Sequence, residues 1–130
     1  MRPRALIFDV DGTLIDSQDM IYKALCIALE SEGYSLPKRS DARAIIGLSL
    51  FEGIKKLFPN LPDRLARNLV LKYKNAFVDL RKFEYNTDNI RLYPNVVHVL
   101  EKLSRKREVI LGLATGKASE GLQHDLGIYN

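Results

Sequence analysis

Ala5-Leu6-Ile7-Phe8-Asp9-Val10-Asp11-Gly12-Thr13-Leu14 sets an apolar run directly against two carboxylates two residues apart, followed by glycine and threonine. A strand buried in a parallel sheet reads as a continuous apolar run, and open α/β sheets bind ligands just beyond the carboxyl ends of their strands. The run therefore predicts a first strand, with Asp9 at its carboxyl end and Asp11 on the turn, both acids facing one crevice. Gly12 permits a tight backbone approach to a bound anion. Two oxygen-donor acids beside such a turn suit phosphate chemistry next to a divalent cation, which offsets the charge that keeps a carboxylate away from a phosphate.

Working outward, Gln18 to Ser31 reads as a helix with Ile21, Leu25, Ala28 and Leu29 on one face, capped by Asp16 or Ser17, with Gly33 near its end. Further helical patterns cover about 41–46, 50–57 and 61–80, the last through Leu61, Leu65, Leu69, Tyr73, Phe77 and Leu80. Pro37, Gly47, Pro59 and Pro62 punctuate the joins. Residues 83–92 turn polar and read as a linker, and Pro94-Asn95 opens a helix to about Arg105. Val109-Ile110-Leu111-Gly112-Leu113-Ala114 is a second buried strand in this reading, ended by Thr115-Gly116-Lys117. A closing helix is expected over about 119–126, with Gly127 as its carboxyl cap.

Composition sets the class. The 130 residues amount to about one domain, and 46% hydrophobic with 28% charged is ordinary for a globular chain. The net charge of +4, from 20 basic and 16 acidic residues, is small and dispersed. Lys38-Arg39, Lys55-Lys56 and Arg81-Lys82 read as solvated helix faces, so no nucleic-acid partner is expected. No apolar run is long enough to cross a bilayer, and Arg2-Pro3-Arg4 leads straight into a strand, which points to a cytoplasmic chain without a membrane partner. The single Cys26 excludes an internal disulfide and reads as a buried structural thiol. His98 and His124 have no partner at metal-ligand spacing and read as surface residues.

Asp9 to Leu14, with Asp16-Ser17 after them, resemble the first motif of the haloacid dehalogenase-like hydrolases throughout. Ile45-Ile46-Gly47-Leu48-Ser49 and Leu92-Tyr93-Pro94-Asn95-Val96 resemble the bookends of the helical cap in that family's phosphoglycolate phosphatase branch. The resemblance implies an α/β fold, a partial Rossmann-like parallel sheet (its first two strands) with an all-helical cap insertion. Residues 1–16 and 90–130 would form the core and 17–89 the cap.

The resemblance also implies a magnesium-dependent phosphatase of small phosphorylated metabolites. Asp9 would attack phosphorus to give an aspartyl-phosphate, Asp11 would act as acid and base, and both would hold Mg2+. Gly12, Thr13, Thr115 and Gly116 would bind the phosphoryl group, the last two as the family's second motif, where a neutral hydroxyl donates without adding negative charge. Gly47, Leu48 and Ser49 become candidate substrate contacts from the cap loop.

Relatives continue with a lysine and a Gly-Asp metal-binding strand that are absent before Asn130; after Thr115 the only acids are Glu120 and Asp125. The expectation is therefore a truncated form with impaired activity, whose exposed sheet edge invites self-association. Two other readings stay open. One is a non-catalytic phosphate-binding or interaction module; the other is a sugar-phosphate mutase relative, disfavoured because Leu50 stands where such relatives carry a basic residue.

Overall fold

The computed structural model describes residues 2–83 and 91–116 together with Gln123. The expected closing helix, its cap at Gly127, and Lys117, Glu120, His124 and Asp125 lie outside the described residues, as does most of the 83–92 linker. The elements run β1 (Arg4–Phe8), β2 (Ile15–Asp16), α1 (Gln18–Ser31), α2 (Arg39–Ala44), α3 (Leu50–Leu57), α4 (Asp63–Phe83), β3 (Arg91–Leu92), α5 (Val96–Ser104) and β4 (Val109–Leu113).

The two apolar runs find each other. β1 and β4 pair in parallel, Ala5 opposite Ile110 and Phe8 opposite Leu113, and the Ala114 N–H extends the ladder to the Phe8 carbonyl at 2.9 Å. Because the strands end at the same level, Asp9 and Thr115 emerge at one end of the pair, where the positive ends of following segments and ligands gather in α/β folds. The result is a mixed α/β fold with a short parallel sheet and several helices.

The expected burial of these strands is corrected. Side chains alternate across a strand, so this register puts Ala5, Ile7 and Ile110 on one face. That face is open: Ile7 and Ile110 are each 62% exposed. Among the described helices only α5 makes a substantial contact with β4, and an apolar run with one covered face leaves alternate residues bare.

A second, two-stranded sheet was not foreseen. β2 pairs antiparallel with β3, Ile15 opposite Leu92 and Asp16 opposite Arg91. The Tyr93 N–H adds a bond to the Leu14 carbonyl at 3.0 Å, and the Tyr93 hydroxyl accepts from Gln18 Nε2 at 3.0 Å. The ribbon thus ties the chain leaving for the helices to the chain coming back.

Between its strands lie the helices, with α1 packed on α4, α3 on α4 and α2 on α1. One apolar cluster gathers Leu25, Leu29, Ala42, Ile45, Ile54, Leu61, Ala66 and Leu69. The other joins Val10 and Ile15 to Met20, Ala24, Ala76, Phe77 and Leu80, seating the helices on the turn after β1. Tyr73 packs against both clusters. Each fully buried leucine contributes roughly 1.5–3 kcal/mol of transfer free energy, so the helical clusters carry most of the apolar stabilisation visible here.

Several expectations shift in detail. α2 covers Arg39–Ala44 instead of 41–46, beginning after an extended Lys38. α4 begins at Asp63, not Leu61, because Pro62 cannot donate and its carbonyl instead accepts the Ala66 N–H at 3.0 Å. Ser17 precedes α1 but makes no side-chain cap. Cys26 is only half-buried, not a core thiol. His98 is exposed on α5, as expected. No helix among the described residues is long and apolar enough to cross a membrane.

Candidate active site

Asp9 follows β1 directly, and its Oδ1 accepts the Val10 N–H at 2.8 Å. Val10, 2% exposed, is the anchor of the turn: its carbonyl accepts the N–H groups of Thr13, Leu14 and Ile15 at 3.2, 2.9 and 3.1 Å. Gly12 takes φ 79° within this loop, a left-handed conformation that costs glycine little. So tight a turn fixes where Asp11 stands. Asp11 Oδ1 accepts the Ser17 hydroxyl at 2.6 Å, and Ser17 is itself 4% exposed. The hydroxyl expected to cap α1 is thus spent on the second carboxylate, a role that sequence alone does not signal because a serine before a helix ordinarily caps it.

A cavity of about 430 Å³ opens at this end of the parallel pair. Asp9, Asp11, Thr115 and Gly116 line it from the strand ends, Gly47, Leu48 and Ser49 from the loop before α3, and Tyr73, Lys74, Phe77 and Arg81 from α4. Of the sequence-derived candidates, Gly12 and Thr13 stand on the turn outside this lining. The α4 residues were missed as site residues. The sequence pattern puts Arg81 on a solvated face, yet it is half-buried with its guanidinium carbon 4.9 Å from the centre of the Phe77 ring. The available signal was their spacing: Tyr73, Phe77 and Arg81 are four apart and share one helix face.

The loop and the strand end touch. A Cβ on Gly116 would stand 2.8 Å from the Leu48 carbonyl oxygen, closer than real Cβ atoms come, so glycine is what lets the two segments close on each other. Gly47 turns the loop with φ 100°. Ser49 begins α3, its hydroxyl oxygen accepting the Glu52 N–H at 3.3 Å in a Ser-x-x-Glu arrangement, so this side chain is engaged in capping as well as lining the cavity.

Tyr73 is the group most perturbed by this setting. Burial, and then the Asp11 carboxylate, push its phenol well above the ordinary value of 10.0, with Arg81 pulling the other way. The unionised form is therefore favoured in the fold, and the associated stability is complete below the ordinary value and lost as pH rises past it. Tyr73→Phe is expected to flatten the loss of stability between about pH 9 and pH 11 relative to the unaltered chain, read from urea midpoints across that range. Identical pH slopes for the two proteins would contradict this placement of the phenol.

Asp9 and Asp11 present hard oxygen donors to one cavity. Magnesium is commonly held by one or two carboxylates, completing its shell with substrate phosphate and water, so the pair fits that ion. Among the described residues no group of three or more His, Cys, Asp or Glu side chains gathers around a common point.

Comparison with known proteins then gives three consistent results. The sequence model of the haloacid dehalogenase-like hydrolases matches residues 6–130. A phosphoglycolate phosphatase of Rhodobacter capsulatus is 29% identical over 114 residues, covering 87% of this chain and 50% of its own length. The pyrophosphatase PpaX of Bacillus cereus is 26% identical over 128 residues, covering 97% of this chain and 54% of its own. Among solved structures, a hydrolase from Pseudomonas syringae superposes with a TM-score of 0.80 at 26% identity, covering 98% of this chain and 55% of that one. A haloacid dehalogenase-like family protein from Streptococcus pneumoniae, at 24% identity and a TM-score of 0.73, shares the fold over 98% of this chain and 57% of its own. The chain spans about half the length of the curated relatives it matches.

Proposed function

From the premise that this chain belongs to the haloacid dehalogenase-like hydrolases, we propose that it serves a magnesium-dependent phosphatase of small phosphorylated metabolites working through an aspartyl-phosphate. The observation that carries this reading is the convergence of Asp9, Asp11 and Thr115 on one cavity. Its relatives act, by name, on phosphoglycolate and on pyrophosphate, so both are candidate substrates. In this reading the helices between β2 and β3, residues 17–89, are a cap over the site, and Gly47, Leu48 and Ser49 are its contribution to substrate choice.

Each residue has a role that its surroundings support. An Asp9 carboxylate oxygen attacks phosphorus while the bond to the leaving oxygen breaks, and Asp11 donates a proton to that oxygen. Water then attacks the acyl-phosphate, Asp11 takes its proton, and inorganic phosphate departs with Asp9 restored. The Val10 N–H and the Ser17 hydroxyl hold the two carboxylates in place for these steps. Thr115 offers a neutral donor to a phosphoryl oxygen. A magnesium ion held by Asp9 and Asp11 would supply charge neutralisation at the phosphoryl group.

The test is release of inorganic phosphate from phosphoglycolate and from pyrophosphate. With magnesium present, release is expected from at least one of them, and chelation by EDTA is expected to lower it by about a hundredfold or more. Hydrolysis indifferent to chelation would remove the metal from the mechanism.

A further inference from the structure

The α4 wall of the cavity has a chemistry that transfer of a phosphoryl group does not need. Arg81 is half-buried, and its Nε is withheld from solvent with no hydrogen-bond acceptor. A buried donor left without an acceptor is costly, by roughly 1–3 kcal/mol and more for a charged group, and native structures rarely tolerate one without reason. The Arg81 guanidinium carbon lies 4.9 Å from the centre of the Phe77 ring, a cation–π distance that ties the cation to this wall. Among the described residues it takes part in no ion pair, although its helix neighbours in sequence include Asp79. The same cavity is lined by the apolar side chains of Ile21, Leu25, Val70 and Phe77 as well as by Tyr73.

Resting on the phosphatase reading and going one step beyond it, we propose that the site takes phosphate esters whose leaving group has an apolar body ending in a second acidic group, and that Arg81 is the residue that selects them. The cavity of about 430 Å³ lies in the range of pockets that enclose ligands well beyond two carbons, mostly apolar with a few polar anchors. A planar guanidinium whose Nε lacks an acceptor is matched by a carboxylate or a second phosphate, which can take two parallel bonds from such a fork. Lys74, seven residues earlier on α4, lines the same wall but is exposed, so it adds attraction without the desolvated geometry that discriminates. The phosphoryl end of such a ligand meets Asp9 and Thr115, its body lies along the apolar wall, and its acid ends at Arg81.

4-Carboxyphenyl phosphate and 4-nitrophenyl phosphate test this directly, because carboxylate and nitro groups share shape and differ in charge. Dissociation constants are measured with magnesium on the Asp9→Asn chain, which prevents turnover, and on the same chain carrying Arg81→Met or Arg81→Lys. The carboxylate probe is expected to bind about 10- to 100-fold more tightly than the nitro probe, the range of one charge-assisted contact. Arg81→Met is expected to bring that ratio near one, and Arg81→Lys to keep part of it, which also controls for a folding defect in the methionine variant. A ratio near one before Arg81 is changed, a ratio that survives Arg81→Met, or binding of neither probe overturns the proposal. Phosphate release from 4-nitrophenyl phosphate by the unaltered chain is followed in parallel. Discrimination without release would defeat the phosphatase reading alone, and release without discrimination would defeat the role of Arg81 alone.

Discussion

Under the proposed mechanism, replacing Asp9 by asparagine is expected to lower magnesium-dependent phosphate release by about a thousandfold or more, because Asp9 is the carboxylate proposed to form the covalent intermediate. The amide keeps the shape of the carboxylate, and its oxygen can still accept the Val10 N–H that Asp9 Oδ1 now receives at 2.8 Å. It cannot supply the negative charge that attacks phosphorus. The change therefore separates chemistry from folding, and thermal melts of the two proteins are expected to differ little. The decisive measurement is the rate of release from phosphoglycolate, pyrophosphate and 4-nitrophenyl phosphate under identical magnesium. Retention of activity within about tenfold on all substrates would take the nucleophile's role away from Asp9.

The largest expected effect on stability lies in the helices. Leu69 on α4 is 1% exposed and packs in one cluster with Leu25 and Leu29 of α1. Leu69→Ala leaves a cavity in the most extensive helix contact among the described residues and is expected to cost about 3 kcal/mol in urea unfolding. Leu71, two residues along the same helix and 61% exposed, is the internal contrast: Leu71→Ala is expected to stay within about 0.5 kcal/mol. Equal losses at the two positions would mean that α4 does not face α1 as described.

What could be read in advance followed from periodicity and from contiguous motifs. The apolar runs ending at Phe8 and Leu113 are strands, and the spacing of Leu69, Tyr73, Phe77 and Leu80 is a helix, because each pattern repeats often enough to exceed chance. The ribbon of Ile15-Asp16 with Arg91-Leu92 was invisible, since strands of two residues have no alternation to detect and their pairing joins distant parts of the chain. Ser17 was misread because a local rule, capping, gave way to a tertiary partner, Asp11. Arg81 reads wrongly for the opposite reason: a basic pair looks solvated, and only the packing of α4 on Val10 and Ile15, just after β1, brings one of its members to the cavity. Asp9, Asp11, Thr115 and the 47–49 loop could be named from motif residues, whereas their meeting in one cavity with Tyr73 and Arg81 required the helices to be in place.

The ribbon also bears on how such a chain can change over time. Its rungs hold the exit at Asp16 beside the return at Arg91, so the strands on either side meet whatever runs between those points. Closing a longer excursion costs only about 0.6 kcal/mol for each doubling of its length. Provided an apolar shelf for Val10 and Ile15 is kept, the excursion can be lengthened, shortened or exchanged as a unit, leaving the acids at the strand end free to serve a new clientele of substrates.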